Sequence, residues 1–168
     1  CGKTAYDYHL AFGDWWARDI AYMVQRDRSH PCVVSYSIGN EIIERDGQSD
    51  GAMWAAKLAD EIRRYDTTRP VTSGICGLWQ REDPDMPDAY RAVRDARRAE
   101  MLRKAAAEGK DEFAYCTEPY MNALDIVGYN YMYGRYASDH RIFPNRVIWG
   151  SETHALDFYD SWHAVLDN

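Results

Sequence analysis

The chain has 168 residues, 46% hydrophobic and 28% charged, with a net charge of −7. That is enough for one domain with a real core, and the balance is ordinary for a globular protein. The acidic surplus argues against nucleic acid or an anionic membrane as the main partner.

Residues 12–26, FGDWWARDIAYMVQR, place Trp15, Ile20, Met23 and Val24 at helical spacing, with Asp14 as the expected N-cap. DRSHP breaks that helix, and Pro31 leads into an apolar strand over 32–38. The loop IIERDGQSDG follows, then a helix over about 51–65 with Met53, Trp54, Leu58 and Ile62 inward. After the turn DTTRP comes a second strand, Val71 to Ile75. A less regular stretch with Trp79 and Pro84 leads to a charged helix over about 88–108, which Gly109 ends. DIVGYNY (125–131) reads as a third strand, GRYASDHRIFPN as a polar connection and RVIWGSE (146–152) as a fourth strand. DFYDSWHAVLDN begins a last helix.

Helices thus alternate with short apolar strands, the pattern of parallel β/α units with both sheet faces covered. An open doubly wound sheet and an incomplete barrel both fit. No GxGxxG or GxxxxGK[ST] loop follows a strand, which argues against a nucleotide site. Cysteines stand at 1, 32, 76 and 116, with no CxxC pair to suggest zinc. Cys32 and Cys76 flank strands and are expected to be buried free thiols. No signal peptide and no apolar run of membrane length is present. The sequence does not begin with Met and is expected to be cut from a longer chain.

Ligands of parallel β/α folds bind at the carboxyl ends of the strands. There the first strand presents Asn40 and Glu41, the third Asn130 and Tyr131, and the fourth Ser151, Glu152, Thr153 and His154. A lone Glu after a strand is ordinarily a solvated loop residue. Two of them, each closing an apolar strand, point to a pair of carboxylates facing across a cleft. Such a pair suits glycoside hydrolysis, one protonating the leaving oxygen while the other attacks the sugar carbon. Asn40 also suits an Asx turn, Tyr131 a core ring and His154 a loop. His30 precedes its strand, on the opposite face, and reads as structural. The basic residues of the charged helix (Arg91, Arg94, Arg97, Arg98, Arg103 and Lys104) are diluted by acidic neighbours, which suits a solvated face.

Three segments carry a family resemblance: YDYHLAFGDWWARDIAYMVQRDRSHPCVVSYSIGNE, LDIVGYNYMYGRY and FPNRVIWGSET, together spanning Tyr6 to Thr153. The chain resembles the catalytic TIM-barrel domain of family 2 glycoside hydrolases, the β-galactosidase and β-glucuronidase group. The resemblance implies a partial (β/α)8 barrel, strands four to seven with their helices. Residues 1–168 would form one incomplete domain, with residues 76–124 as a long loop plus charged helix between strands. It implies Glu41 as acid/base and Glu152 as nucleophile of a retaining exo-glycosidase, most simply a β-galactosidase. Asn40 would contact the sugar 2-hydroxyl, and Tyr131 would hydrogen-bond the nucleophile. Asn130 and His154 complete the expected substrate-binding set. The chemistry would need no cofactor. Family members often carry Mg or Na, but no residue of this chain is assignable as a metal ligand. The expected partners are a β-glycoside substrate, the remaining barrel strands and β-sandwich domains of a longer chain, and a second copy in a homo-oligomer, with neither nucleic acid nor membrane. A β-glucuronidase, a β-mannosidase or a non-catalytic carbohydrate-binding segment are the competing readings. A glucuronidase would need cations at the sugar carboxylate, which this segment does not obviously supply.

Overall fold

Four short runs rich in β-branched, aromatic and small residues pair in the order in which they occur. The computed structural model describes residues 4–47, 49–78 and 87–167. In chain order the elements are α1 (His9–Asp27), β1 (Tyr36–Asn40), α2 (Gly51–Arg63), β2 (Val71–Ile75), α3 (Asp88–Ala107), α4 (Glu112–Met121), β3 (Ile126–Asn130), α5 (Tyr136–Ile142), β4 (Val147–Glu152) and α6 (Phe158–Leu166). Single 3-10 turns at Ile43–Asp46, Tyr133–Arg135 and Ala155–Asp157 follow β1, β3 and β4. The sheet order is β1-β2-β3-β4, and every pairing is parallel. A doubly wound sheet reverses its strand order at a switch point. This one advances without reversal, as a barrel wall does.

Helices cover the sheet through two apolar clusters. One joins Val24 of α1, Ala59 and Ile62 of α2, Tyr36 of β1 and Val71 of β2. The other joins Ile75, Val127 and Tyr129 of the strands to Phe113, Tyr120 and Met121 of α4 and Tyr136 of α5. Val24, Ile62, Val71 and Ile75 are wholly buried, and each such side chain stabilises the fold by roughly 1.5–3 kcal/mol.

Several boundaries depart from expectation. Helix α1 starts at His9, so Asp14 lies inside it. The carboxylate serving its first turn is Asp7, which accepts the His9 N–H at 3.0 Å. Strand β1 starts at Tyr36, not residue 32, because β2 begins at Val71, directly opposite Tyr36, and a ladder needs a partner. Residues 32–35 therefore precede the ladder, Val34 is 68% exposed, and Cys32 is exposed rather than buried. Cys76 is a buried free thiol as expected, and so is Cys116.

Among the described residues, the connection from β2 to β3 holds two helices. Expected α3 is present, and Gly109 with φ +69° follows it. Only Ala105 of its described side chains is buried. Helix α4 is the packed crossover. Asp111 caps it, accepting the Ala114 N–H at 2.8 Å. Pro119 inside α4 masks it in the sequence, because proline lacks an amide donor and ordinarily ends a helix. Helix α5 occupies the stretch read as a polar connection. It docks through buried Asp139, which accepts the Tyr129 hydroxyl at 2.6 Å and the Arg135 guanidinium at 2.8 Å. Trp79 and Pro84 lie outside the described residues.

Candidate active site

The carboxyl ends of β1, β3 and β4 deliver the polar residues, and two unusual backbone positions set them. Glu41 and Tyr131 have φ of +51° and +60°, and they are the only non-glycine residues with positive φ among the described residues. The left-handed region costs a side-chain-bearing residue of order 1 kcal/mol, and such strain clusters at functional sites. Both turns are tied into the ladder. The Glu41 N–H donates to the Gly74 carbonyl, and the Tyr131 N–H to the Glu152 carbonyl, each at 2.8 Å. Gly39 is the expected pivot of the first turn, since glycine tolerates any turn. It is not at positive φ, and a Cβ there would meet nothing closer than Ile42 Cγ2 at 3.4 Å. Glu41 itself bends the chain.

Asn130 lies at the centre and is fully buried. Its Nδ2 donates to Glu152 Oε1 at 2.9 Å, to Asn40 Oδ1 at 3.0 Å and to Glu41 Oε1 at 3.1 Å. The two distances from one nitrogen to the carboxylates bound the Oε1–Oε1 separation at 6.0 Å. The Ser151 hydroxyl donates to Asn130 Oδ1 at 2.6 Å, which fixes the amide orientation. The other Glu152 oxygen, Oε2, accepts the Tyr131 hydroxyl. His154 joins through the Tyr131 ring, stacked at 4.2 Å between centroids and 20° between planes. Asn40, Tyr131 and His154 are exposed, and Glu41 and Glu152 are half-buried.

The hydrogen bond to Glu152, with its negative charge nearby, raises the Tyr131 phenol above its ordinary pKa. It therefore stays a neutral donor. Beside Glu41 lies the Cys76 thiol, raised by burial first; the adjacent Arg45 guanidinium pulls it down, and Glu41 adds a smaller upward push. Arg45 is buried and straps the turn after β1 to the end of β2. It donates to the Cys76 carbonyl and sulfur, each at 3.2 Å, and to the Gly77 carbonyl at 2.5 Å.

The structure thus brings Asn40, Glu41, Asn130, Tyr131 and Glu152 into one network and sets His154 at its edge. Asn130, expected in the sugar-contacting set, is fully buried beneath the two carboxylates. Sequence reasoning missed Gly74, Gly128, Arg45 and Cys76. ERDG read as part of a loop, and nothing local marks one of its charges as buried. Gly74 and Gly128 are mid-strand glycines, a pattern that signals close approach of another group. No group of three or more His, Cys, Asp or Glu among the described residues is arranged to hold a metal ion. No described helix is long and apolar enough to cross a membrane.

Comparison with known proteins follows the same lines. The family model described as "Glycosyl hydrolases family 2, TIM barrel domain" matches residues 14–163. A beta-galactosidase of Bacteroides ovatus is 31% identical over 102 residues, covering 43% of this chain and 12% of that protein. A beta-galactosidase of Pectobacterium atrosepticum is 38% identical over 79 residues, covering 40% of this chain and 7% of that protein. The chain therefore spans about a tenth of the length of these curated relatives. A solved glycosyl hydrolase family 2 member from Bacteroides cellulosilyticus superposes with a TM-score of 0.74 at 32% identity, covering 100% of this chain and 17% of its own. A beta-glucuronidase of Bacteroides uniformis, at 16% identity and a TM-score of 0.50 over 88% of this chain and 16% of its own, shares the fold alone. With a family match across nearly its whole length and a parallel sheet advancing as a barrel wall, this chain belongs to family 2 of the glycosyl hydrolases, in their TIM-barrel domain.

Proposed function

We propose that Glu152 and Glu41 are the nucleophile and acid/base of a retaining glycosidase acting on β-galactosides. The observation that carries the reading is that one buried amide nitrogen, Asn130 Nδ2, lies 2.9 Å from Glu152 Oε1 and 3.1 Å from Glu41 Oε1, so that the two carboxylates approach each other across it. Retaining enzymes place their carboxyl groups about 5–5.5 Å apart, and inverting enzymes leave room for a water at about 6.5–9.5 Å.

A Glu152 oxygen attacks the anomeric carbon while Glu41 gives its proton to the departing oxygen. The aglycone leaves as an alcohol, and the sugar remains as an ester of Glu152. Glu41, now a carboxylate, takes a proton from water as that water attacks the anomeric carbon and the ester bond breaks. The Tyr131 hydroxyl on Glu152 Oε2 favours the ionised nucleophile and leaves Oε1 to the Asn130 amide. Asn40, exposed beside Glu41, would meet the sugar 2-hydroxyl, whose hydrogen bond strengthens in the transition state. The names of the Bacteroides ovatus and Pectobacterium atrosepticum relatives support galactosides as the substrate class.

The test is Glu41→Gln and Glu152→Gln in the full-length protein, against a panel of nitrophenyl glycosides. Glu152→Gln is expected to abolish turnover and the covalent adduct formed with a 2-fluoro sugar. Glu41→Gln is expected to lower turnover by roughly 10²–10⁴-fold, least for the best leaving groups. Unchanged turnover in either variant overturns the reading, and turnover confined to glucuronides or mannosides moves the substrate class.

A further inference from the structure

We propose that Asn130 is a positioning residue that shares its amide hydrogens between the two carboxylates, so that the bond strengthens at whichever carries the negative charge at each stage of the reaction. This rests on the functional reading above and adds a residue whose role neither composition nor spacing suggests.

An amide nitrogen has two hydrogens. Asn130 Nδ2 has three acceptors within 3.1 Å: Asn40 Oδ1, Glu41 Oε1 and Glu152 Oε1. One hydrogen must therefore be shared. The amide cannot turn to offer oxygen instead, because the Ser151 hydroxyl holds Oδ1 at 2.6 Å. It cannot exchange its partners for water, because Asn130 is wholly buried. The surrounding backbone is cleared for this arrangement. A Cβ at Gly74 would stand 2.3 Å from Asn40 Oδ1 and 3.1 Å from Asn130 Oδ1, and one at Gly128 would stand 2.6 Å from Ser151 Oγ.

Charge in a retaining site alternates. Before the first step Glu152 is the anion and Glu41 carries the proton. In the glycosyl-enzyme Glu152 is an uncharged ester and Glu41 is the anion that must accept a proton from water. A hydrogen bond to an ionised acceptor is roughly twice as strong as one to a neutral acceptor. A donor within reach of both Oε1 atoms therefore follows the charge without moving the backbone. The other titratable or charged groups facing the pair are Tyr131 from the end of β3, His154 beyond β4, Cys76 after β2 and Arg45 on the turn after β1. Of the hydrogen bonds described, those from Asn130 alone reach both carboxylates.

The experiment is the pH profile of kcat/KM for Asn130→Ala and Ser151→Ala in the full-length protein, on a substrate the parent turns over. A donor that favours the ionised form of both groups, when removed, moves both limbs to higher pH. Asn130→Ala is expected to shift the whole bell alkaline by roughly half to one unit, costing an extra three- to tenfold in kcat/KM on the acid side. Ser151→Ala, which leaves the amide in place but unfixed, is expected to shift it the same way by less. Limbs that stay put while activity falls uniformly mean a structural role only and overturn the proposal. If Asn130→Ala does not fold, Ser151→Ala decides it, an unmoved bell counting against. Glu41→Gln and Glu152→Gln are the control. If both are inactive while the Asn130 limbs stay put, the shared amide fails and the catalytic pair stands; if either is fully active, the pair itself fails.

Discussion

A methyl group at residue 74 would meet the side-chain oxygens of Asn40 and Asn130 before it met any backbone. A contact as short as 2.3 Å forces the Asn40 amide to move, and the far end of a side chain moves cheaply. Gly74→Ala is thus expected to leave the melting temperature within a few degrees of the parent while lowering kcat/KM by roughly 100-fold, the cost typical of a 1 Å misplacement in a site. Thermal unfolding and steady-state kinetics on one preparation check both halves; equal activity would mean that the Asn40–Asn130 pair is not needed. At this scale the sequence is legible where chemistry announces itself. Glu41 and Glu152 each close an apolar strand, and Tyr131 follows an Asn in the same setting. Gly74 and Gly128, as mid-strand glycines, signal that something approaches closely but not what, because they leave space for residues far away in the chain. The bend at Glu41 is silent, since nothing in the sequence says that a glutamate and not the nearby glycine adopts positive φ.

Among the elements, the turn from α2 to β2 is held by one carboxylate. Buried Asp66 accepts the Thr68 hydroxyl at 2.6 Å, the Thr68 N–H at 2.8 Å and the Arg69 guanidinium at 2.7 Å. The Thr68 hydroxyl, assisted by the other donors, holds its pKa well below the usual carboxylate range against the opposing effect of burial. A depressed folded pKa stabilises above the unfolded value and is lost as pH falls through the folded one. Asp66→Asn is therefore expected to cost about 2 kcal/mol at pH 7, a penalty that fades as pH drops below about 4. Urea unfolding of both proteins at pH 7 and at pH 3 measures it; a constant difference would sink the assignment. The strands and helices α1, α2 and α3 are legible because apolar spacing and breakers agree. Helices α4 and α5 are not. Pro119 disguises the first, and the second is held by the buried Tyr129–Asp139–Arg135 network, which only tertiary packing creates.

Over the whole molecule, the sheet has β1 at one edge and β4 at the other, each with a single neighbour among the described residues. Phe158, Tyr159, Trp162, Val165 and Leu166 of α6 are more than half exposed, or close to it. Open parallel edges and an apolar helix face are both routes to self-association. The 168 residues expressed alone are expected to self-associate and to lack turnover, and Phe158→Glu with Trp162→Glu to shift the population toward monomer without restoring activity. Sedimentation velocity reads the first and a glycoside assay the second; a monomeric, active 168-residue protein would refute both. The parallel architecture follows from the alternation of helices and strands. Its closure toward a barrel could not be chosen from that alternation, which suits an open sheet equally; strand order decides it.

The ladder bonds that fix the two turns have a chemical consequence on a much slower clock. Asparagine side chains age by deamidation, in which the backbone nitrogen of the next residue attacks the side-chain carbonyl and closes a cyclic imide. After Asn40 that nitrogen belongs to Glu41 and is committed to the Gly74 carbonyl; after Asn130 it belongs to Tyr131 and is committed to the Glu152 carbonyl. Neither nitrogen can swing onto its neighbour's side chain without breaking the sheet. The two amides are thus guarded against the spontaneous change that would place a third carboxylate beside Glu41 and Glu152, and the guard is the backbone that aims those carboxylates.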